Sequence, residues 1–249
     1  MVCFLPVAPL TQSNLKIKLY QLIISDLKKL ANKEKAKVMS GFFKTGKGQY
    51  GEGEIFLGIT VPDQRRIAKR YQEASFADVK KLLADKIHEC KLTGLLILVE
   101  KFDESEESQR KKIIDLYLDN IKHVNNWDLV DLSADKILGA YLLDKDRSIL
   151  KKMAISKNLW ERRIAIVSTL AFIKQNKFDD TLKISEILIH DNEDLIHKAV
   201  GWMLREVGKR DKKTEISFLK KHYKNMPRTM LRYSIERFSE SEKKFFMAK

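Results

Sequence analysis

The chain has 249 residues and 44% apolar content, enough to bury a continuous core without disulfide staples. Lys and Arg number 48 against 34 Asp and Glu, and a net charge of +14 draws polyanions, nucleic acid first; lysine-rich solvated helix faces are the plainer source of the same surplus. Two cysteines, Cys3 and Cys90, build neither a disulfide framework nor a zinc site, and charged residues break every apolar run short of the ~18 a membrane span needs, so a cytoplasmic protein without cofactor or metal is expected.

The opening MVCFLPVAPL (1–10) is apolar but short and lacks a basic region before it, so it reads as an N-terminal extension rather than a signal peptide, with 11–249 as a single domain. From there apolar residues recur at three- and four-residue spacing, as in Leu82, Leu83 and Ile87, then Leu95, Leu96 and Val99, with no comparable strand-like alternation. The class is all-α. Pro6, Pro9, Pro62 and Pro227 are the only prolines, which leaves long helical stretches, and Ser75, Ser105, Asp179 and Asn192 stand where helix caps are expected.

The irregular stretch is KTGKGQYGEGEIFLGITVP, Lys44 to Pro62, with five glycines: Gly46, Gly48, Gly51, Gly53 and Gly58. It is a loop, and its glycines match neither the Walker spacing nor a dinucleotide fingerprint, which excludes a nucleotide-phosphate cradle. Either it turns the chain between two helices, or Lys44, Lys47 and Tyr50 reach DNA.

Three later helices, NNWDLVDLSADKILGAYLL, LWERRIAIVSTLAFIKQ and DLIHKAVGWMLREVGKR, carry the most unusual residues. In the first, Val130, Ala134, Ile137, Leu138 and Tyr141 form the apolar stripe, while Trp127 and Asp131 stack one turn apart at its start. That aspartate is a reactive-group candidate or an ordinary complement to the helix dipole. In the second, Arg162 and Arg163 enter an apolar helix, where a guanidinium requires either an internal carboxylate or a phosphate. In the third, the core stripe is Ile196, Ala199, Val200, Met203 and Val207, and Trp202 stands off it in a row with Lys198, Arg205 and Lys209. Cations holding phosphates around a packing ring suit nucleic acid, although basic stems covering a ring give the same pattern. Asp131 and Arg163 are 32 residues apart, and Arg163 and Trp202 39. Such separations approximate a helix-pair repeat, so a curved α-solenoid would bring Trp127, Asp131, Arg163 and Trp202 onto one surface. Near the C-terminus, MPRTMLRYSIERF sets Arg228 and Arg232 one turn apart, as a phosphate clamp or a solvated basic face. The five histidines, His88, His123, His190, His197 and His222, form no close ligand pair, and no GxSxG elbow is present.

IFLGITVPDQRR, NNWDLVD, LWERRIAIVS, DLIHKAVGWMLREVGKRD and MPRTMLRY, in this order, make the chain resemble the AlkD-like family of DNA alkylation-repair glycosylases from about Lys35 to Phe238. The resemblance implies HEAT-like antiparallel helix pairs, stacked in a curve whose concave basic face holds duplex DNA carrying alkylated bases. The implied activity is a monofunctional glycosylase that cuts the N-glycosidic bond of purines such as 3-methyladenine and 7-methylguanine, without rotating the base into a protein pocket. It implies Asp131 as catalytic carboxylate, Arg163 as active-site arginine and Trp127 and Trp202 as ring walls, with Arg205 and Lys209 on the backbone near the lesion. The insert from Thr45 to Glu54 lengthens the segment before FLGI relative to shorter members. A non-catalytic DNA-binding repeat protein is the alternative, and a monomer is expected.

Overall fold

The computed structural model describes residues 19–248, so the extension 1–10 lies outside the described residues. The chain runs α1 (Leu19–Lys29), α2 (Lys33–Phe42), the glycine-rich loop, α3 (Val61–Arg70), α4 (Phe76–Leu83), α5 (His88–Asp103) and α6 (Glu107–Asp119). After a 3-10 turn at Ile121–His123 come α7 (Trp127–Asp131), a π-helical turn at Asp135–Gly139, α8 (Ser148–Ala154), α9 (Leu159–Ser168) and α10 (Leu170–Lys174). The last third holds α11 (Asp179–Leu188), α12 (Asp194–Arg210), α13 (Lys212–His222), α14 (Arg228–Ser234), a 3-10 turn at Ile235–Arg237 and α15 (Glu240–Met247). Among the described residues there is no strand, only one parallel bridge between Ile55 and Ile87.

Two long helices organise the stack. Along α5 every residue from Cys90 to Val99 is buried, including Lys91, because α1, α3, α4, α6 and α7 surround it. α12 is amphipathic instead: its stripe of Ile196, Ala199, Val200, Met203 and Val207 is fully buried against α9, α11, α13 and α14, while Trp202 stays off it. At about 1.5–3 kcal/mol per large apolar side chain, this burial is the main force joining the helices. One core runs continuously from Ile23 to Phe246, giving an all-α, solenoid-like stack.

Local chemistry decides the element ends. Ser75 caps α4, its hydroxyl accepting from Asp78 N at 3.2 Å. The other three expected caps differ: Ser105 donates back to Lys101 O at 2.5 Å, Asp179 is the first residue of α11, and Asp191 accepts the Glu193 N–H at 2.9 Å ahead of α12 where Asn192 is expected to cap. The helix expected across Asn125 to Leu143 is broken. Ser133 donates to Leu129 O at 2.6 Å, and Gly139 N then reaches back five residues to Ala134 O at 2.8 Å. Side-chain bonding to the preceding turn and a widened π turn both bend helices. The bend leaves Val130, Ala134, Ile137 and Leu138 buried but Tyr141 only half-buried, so Tyr141 drops out of the expected stripe.

Candidate functional site

The site starts from a capped turn. Asn126, fully buried, accepts the Trp127 N–H at 2.8 Å and so fixes the first residue of α7, a helix too short to hold its own end. The Trp127 ring then stacks on Phe43 with centroids 5.0 Å apart, and Phe42 meets it edge-on at 5.6 Å. One turn later stands Asp131. From α9, Arg163 Nε donates to Asp131 Oδ1 at 2.9 Å and Nη2 to Oδ2 at 2.8 Å, while Nη1 donates to the Leu195 carbonyl at the start of α12. A single guanidinium therefore joins α7, α9 and α12. Burial lifts the Asp131 carboxyl above its ordinary value against the pull of Arg163, and the Asp128 and Asp135 charges add to the lift.

Opposite stands Trp202 of α12, whose indole N–H donates to Glu206 Oε1 at 3.2 Å. Tyr50 comes from the glycine-rich loop and meets Trp160 edge-on at 5.9 Å; burial raises its phenol above the ordinary value. With Phe42, Lys44, Glu193, Asp194, Leu195, Lys198, Arg205 and Tyr233, these groups enclose a cleft of about 700 Å³. Lys44 holds a left-handed backbone with φ of 55°, a conformation uncommon outside glycine, at the cleft edge.

The residues singled out from the sequence thus separate into three sets. Trp127, Asp131, Arg163, Trp202, Lys198, Arg205, Lys44 and Tyr50 share the cleft. Arg232 lines an adjoining hollow with Lys198, Thr229 and Tyr233. Lys47, Lys209 and Arg228 stand outside both: Lys47 is exposed on the loop, Lys209 pairs with Glu206 at 2.6 Å, and Arg228 donates to Met247 O at 2.8 Å, tying α14 to α15. The rim cations have acidic partners, Lys198 with Asp194 at 2.8 Å and Arg205 with Glu236. Arg162 binds Asp191 instead, with Nε to Oδ2 at 2.6 Å. Sequence reasoning missed Phe42, Tyr233 and Glu206; the paired Phe42 and Phe43 beside Lys44 in a lysine-rich stretch was the available signal.

Among the described residues no group of three His, Cys, Asp or Glu is placed to hold a metal ion, and no helix is long and apolar enough to cross a membrane. Fold and cleft together define a helical-stack protein in which an arginine-clamped carboxylate shares one cleft with two indoles and several cations. The chain belongs to the family described as DNA alkylation repair enzyme, which it matches over residues 23–238. Among solved structures it is similar to "Predicted DNA alkylation repair enzyme from Enterococcus faecalis", with 18% identity and a TM-score of 0.65 over 84% of this chain and 97% of that one. That likeness is one of fold. No protein of curated function matches the sequence.

Proposed function

We propose that the protein is a DNA glycosylase that removes alkylated purines of the 3-methyladenine and 7-methylguanine class from duplex DNA by hydrolysis. The carrying observation is the Asp131 carboxylate, gripped through both oxygens by Arg163, in one cleft with Trp127 and Trp202. Membership of the alkylation-repair family supports DNA as the partner.

N-alkylation at purine position 3 or 7 makes the base cationic. When its N-glycosidic bond breaks, the bonding pair leaves with the base, which departs neutral and needs no general acid. The sugar is left oxocarbenium-like, and a fixed carboxylate stabilises that charge in a site shielded from water. Water then adds at the sugar carbon and releases its proton, with Asp131 placing it. Indole faces add favourable contact as positive charge grows between them. Lys198 and Arg205 exchange Asp194 and Glu236 for backbone phosphates, Lys44 and Arg232 join them, and the release of counterions from the duplex makes binding strongly salt-dependent. Lys47, Lys209 and Arg228 extend this contact along the duplex.

Chromatography of bases released from methylated duplex DNA tests the reading. Wild-type protein frees methylpurine; Asp131→Asn lowers kcat by roughly 100-fold or more, the scale of one lost electrostatic stabiliser, with duplex affinity retained. Release also falls on acidification through the raised Asp131 value. Wild-type release by Asp131→Asn removes the carboxylate from the mechanism, and binding without release by the wild type leaves a non-catalytic DNA-binding protein.

A further inference from the structure

The cleft rests on a second cluster that the proposed chemistry does not use. Behind the Trp127 wall, Glu54 from the end of the glycine-rich loop meets His88 and Lys91 of α5 and Asn126 and Asp128 at the start of α7, every one of them less than a tenth exposed. Glu54 Oε2 faces His88 Nδ1 at 2.7 Å and accepts from Asn126 Nδ2 at 3.0 Å, while Oε1 accepts from Lys91 Nζ at 2.8 Å. The other His88 nitrogen faces Asp128 Oδ2 at 2.8 Å. Phe56 stacks over the imidazole with centroids 4.5 Å apart, and Phe43, which stacks on Trp127, lies 5.1 Å away on a tilt.

An imidazole between two carboxylates satisfies both only as the doubly protonated cation. Burial opposes that charge, but Asp128 and Glu54 outweigh it and bring His88 up to about 9. Burial likewise opposes the Glu54 charge, and His88 and Lys91 outweigh it to hold the carboxyl at about 2. The charged groups around the ring are Glu54 from the loop, Asp128 from α7, and Lys91 and Glu89 from α5 itself; Glu89 is turned toward the backbone N–H groups of Leu57, Gly58 and Ile59. Glu54 and Asp128 balance His88 and Lys91, and Glu89 is a third carboxylate, held by backbone donors instead of by a cation. Buried ions stabilise a fold poorly compared with apolar residues of the same volume, and their best-attested use is to select one arrangement. What this cluster arranges is visible in Asn126: its amide nitrogen donates to Glu54, and its oxygen caps Trp127.

We infer that Glu54 and His88 are positioning residues, which lock the glycine-rich loop to the first turn of α7 and so hold Trp127 and Asp131 in place for base excision. The inference rests on the glycosylase reading for its kinetic consequence only. A five-residue helix has no stability of its own, and Glu54 reaches it from 72 residues away. It also gives the insert a task at its last residue, since Glu54 closes the segment that carries Lys44 and Tyr50 into the cleft.

Glu54→Gln keeps the shape but cannot neutralise both His88 and Lys91. The expected result is a kcat for base release lower by roughly 10- to 100-fold, the scale of an ångström's misplacement, with duplex affinity changed far less because Lys198, Arg205 and Arg232 stand on α12 and α14. The Trp127 indole N–H resonance, assigned through Trp127→Phe, shifts or broadens while that of Trp202 stays. Asp128→Asn is the second variant: it keeps a partner for His88 Nε2 and removes one charge. Wild-type kcat falls above about pH 9 as His88 loses its proton, and in Asp128→Asn this fall moves to lower pH. A folded Glu54→Gln protein with an unmoved Trp127 resonance overturns the inference, as does an alkaline limb that Asp128→Asn leaves in place. If the wild type releases no base, the glycosylase reading fails while the indole resonance alone still decides whether the network positions Trp127.

Discussion

A guanidinium that donates to both oxygens of one carboxylate fixes its plane and its rotation, whereas an ammonium fixes only a distance. Arg163 does this to Asp131 from a helix 32 residues away in sequence, and the side chains are 6% and 16% exposed, so neither charge is well hydrated. Removing one partner of such a pair is expensive because the other charge stays behind. Arg163→Ala is therefore expected to lose roughly 3–5 kcal/mol of folding stability in denaturant titrations and to raise the Asp131 carboxyl further. Arg163→Lys separates structure from function: it restores the charge balance and most of the stability, but without the fork the carboxylate rotates, and kcat for base release stays depressed. Full activity in the lysine variant would show that charge alone, not orientation, matters at Asp131.

At the level of elements, the cleft is held by two close approaches between helices that only glycine permits. A Cβ on Gly201 of α12 would lie 2.5 Å from the Met230 carbonyl oxygen and 2.5 Å from Cβ of Tyr233, so α14 seats directly on α12 and turns Tyr233 into the cleft. Gly139 at the π turn likewise receives the end of α9, where a Cβ would collide with the Ser168 carbonyl. Gly201→Ala is expected to cost about 1–3 kcal/mol as α14 is pushed outward, and to weaken duplex binding because Tyr233 and its neighbour Arg232 move with it. An unchanged thermal midpoint would show that α14 shifts freely. These contacts explain what the sequence could and could not tell. The α12 stripe is legible because a long amphipathic helix obeys its own period, and Ser75 because its partner is three residues away. The break after α7 is not, since the π turn fits against Ser168, which belongs to another helix. Among site residues, Trp127, Asp131, Arg163 and Trp202 stand out as indoles or charges in unusual company. Phe42 and Tyr233 acquire meaning only from what faces them, and the Glu54 cluster joins residues 34 to 72 apart with no local pattern at all.

Across the whole molecule the surplus of +14 is tempered by ion pairs at the surface, and buried groups, among them Glu54, His88 and Glu215 beside Asp131, make stability respond to pH. Glu54, held down to about 2, contributes stability that is complete above the ordinary glutamate range and is lost as pH falls toward that value. His88, raised to about 9, contributes below the ordinary histidine value of ~6.5, and this is lost as pH climbs through about 9. Glu215 of α13 has the same sign over an earlier window. It is packed against Gly208 of α12, a position where any Cβ would strike its carboxyl; Oε1 is buried without a hydrogen-bond partner among the described residues. Burial pushes this carboxyl up to about 8, with Lys212 and Arg205 opposing in part and Glu242 adding to the rise. The folded chain thus keeps a proton that the unfolded chain gives up above ~4.3, and stability declines from there until Glu215 ionises near 8. Glu215→Gln, neutral at every pH, removes that decline. Its urea midpoint is expected to match the wild type near pH 4, below both values, and to exceed it increasingly up to about pH 8, with the later His88 fall intact in both. Parallel midpoint curves for the two proteins would mean that Glu215 is already ionised in the folded state, and that the cationic neighbours on α12 and α13 outweigh its burial.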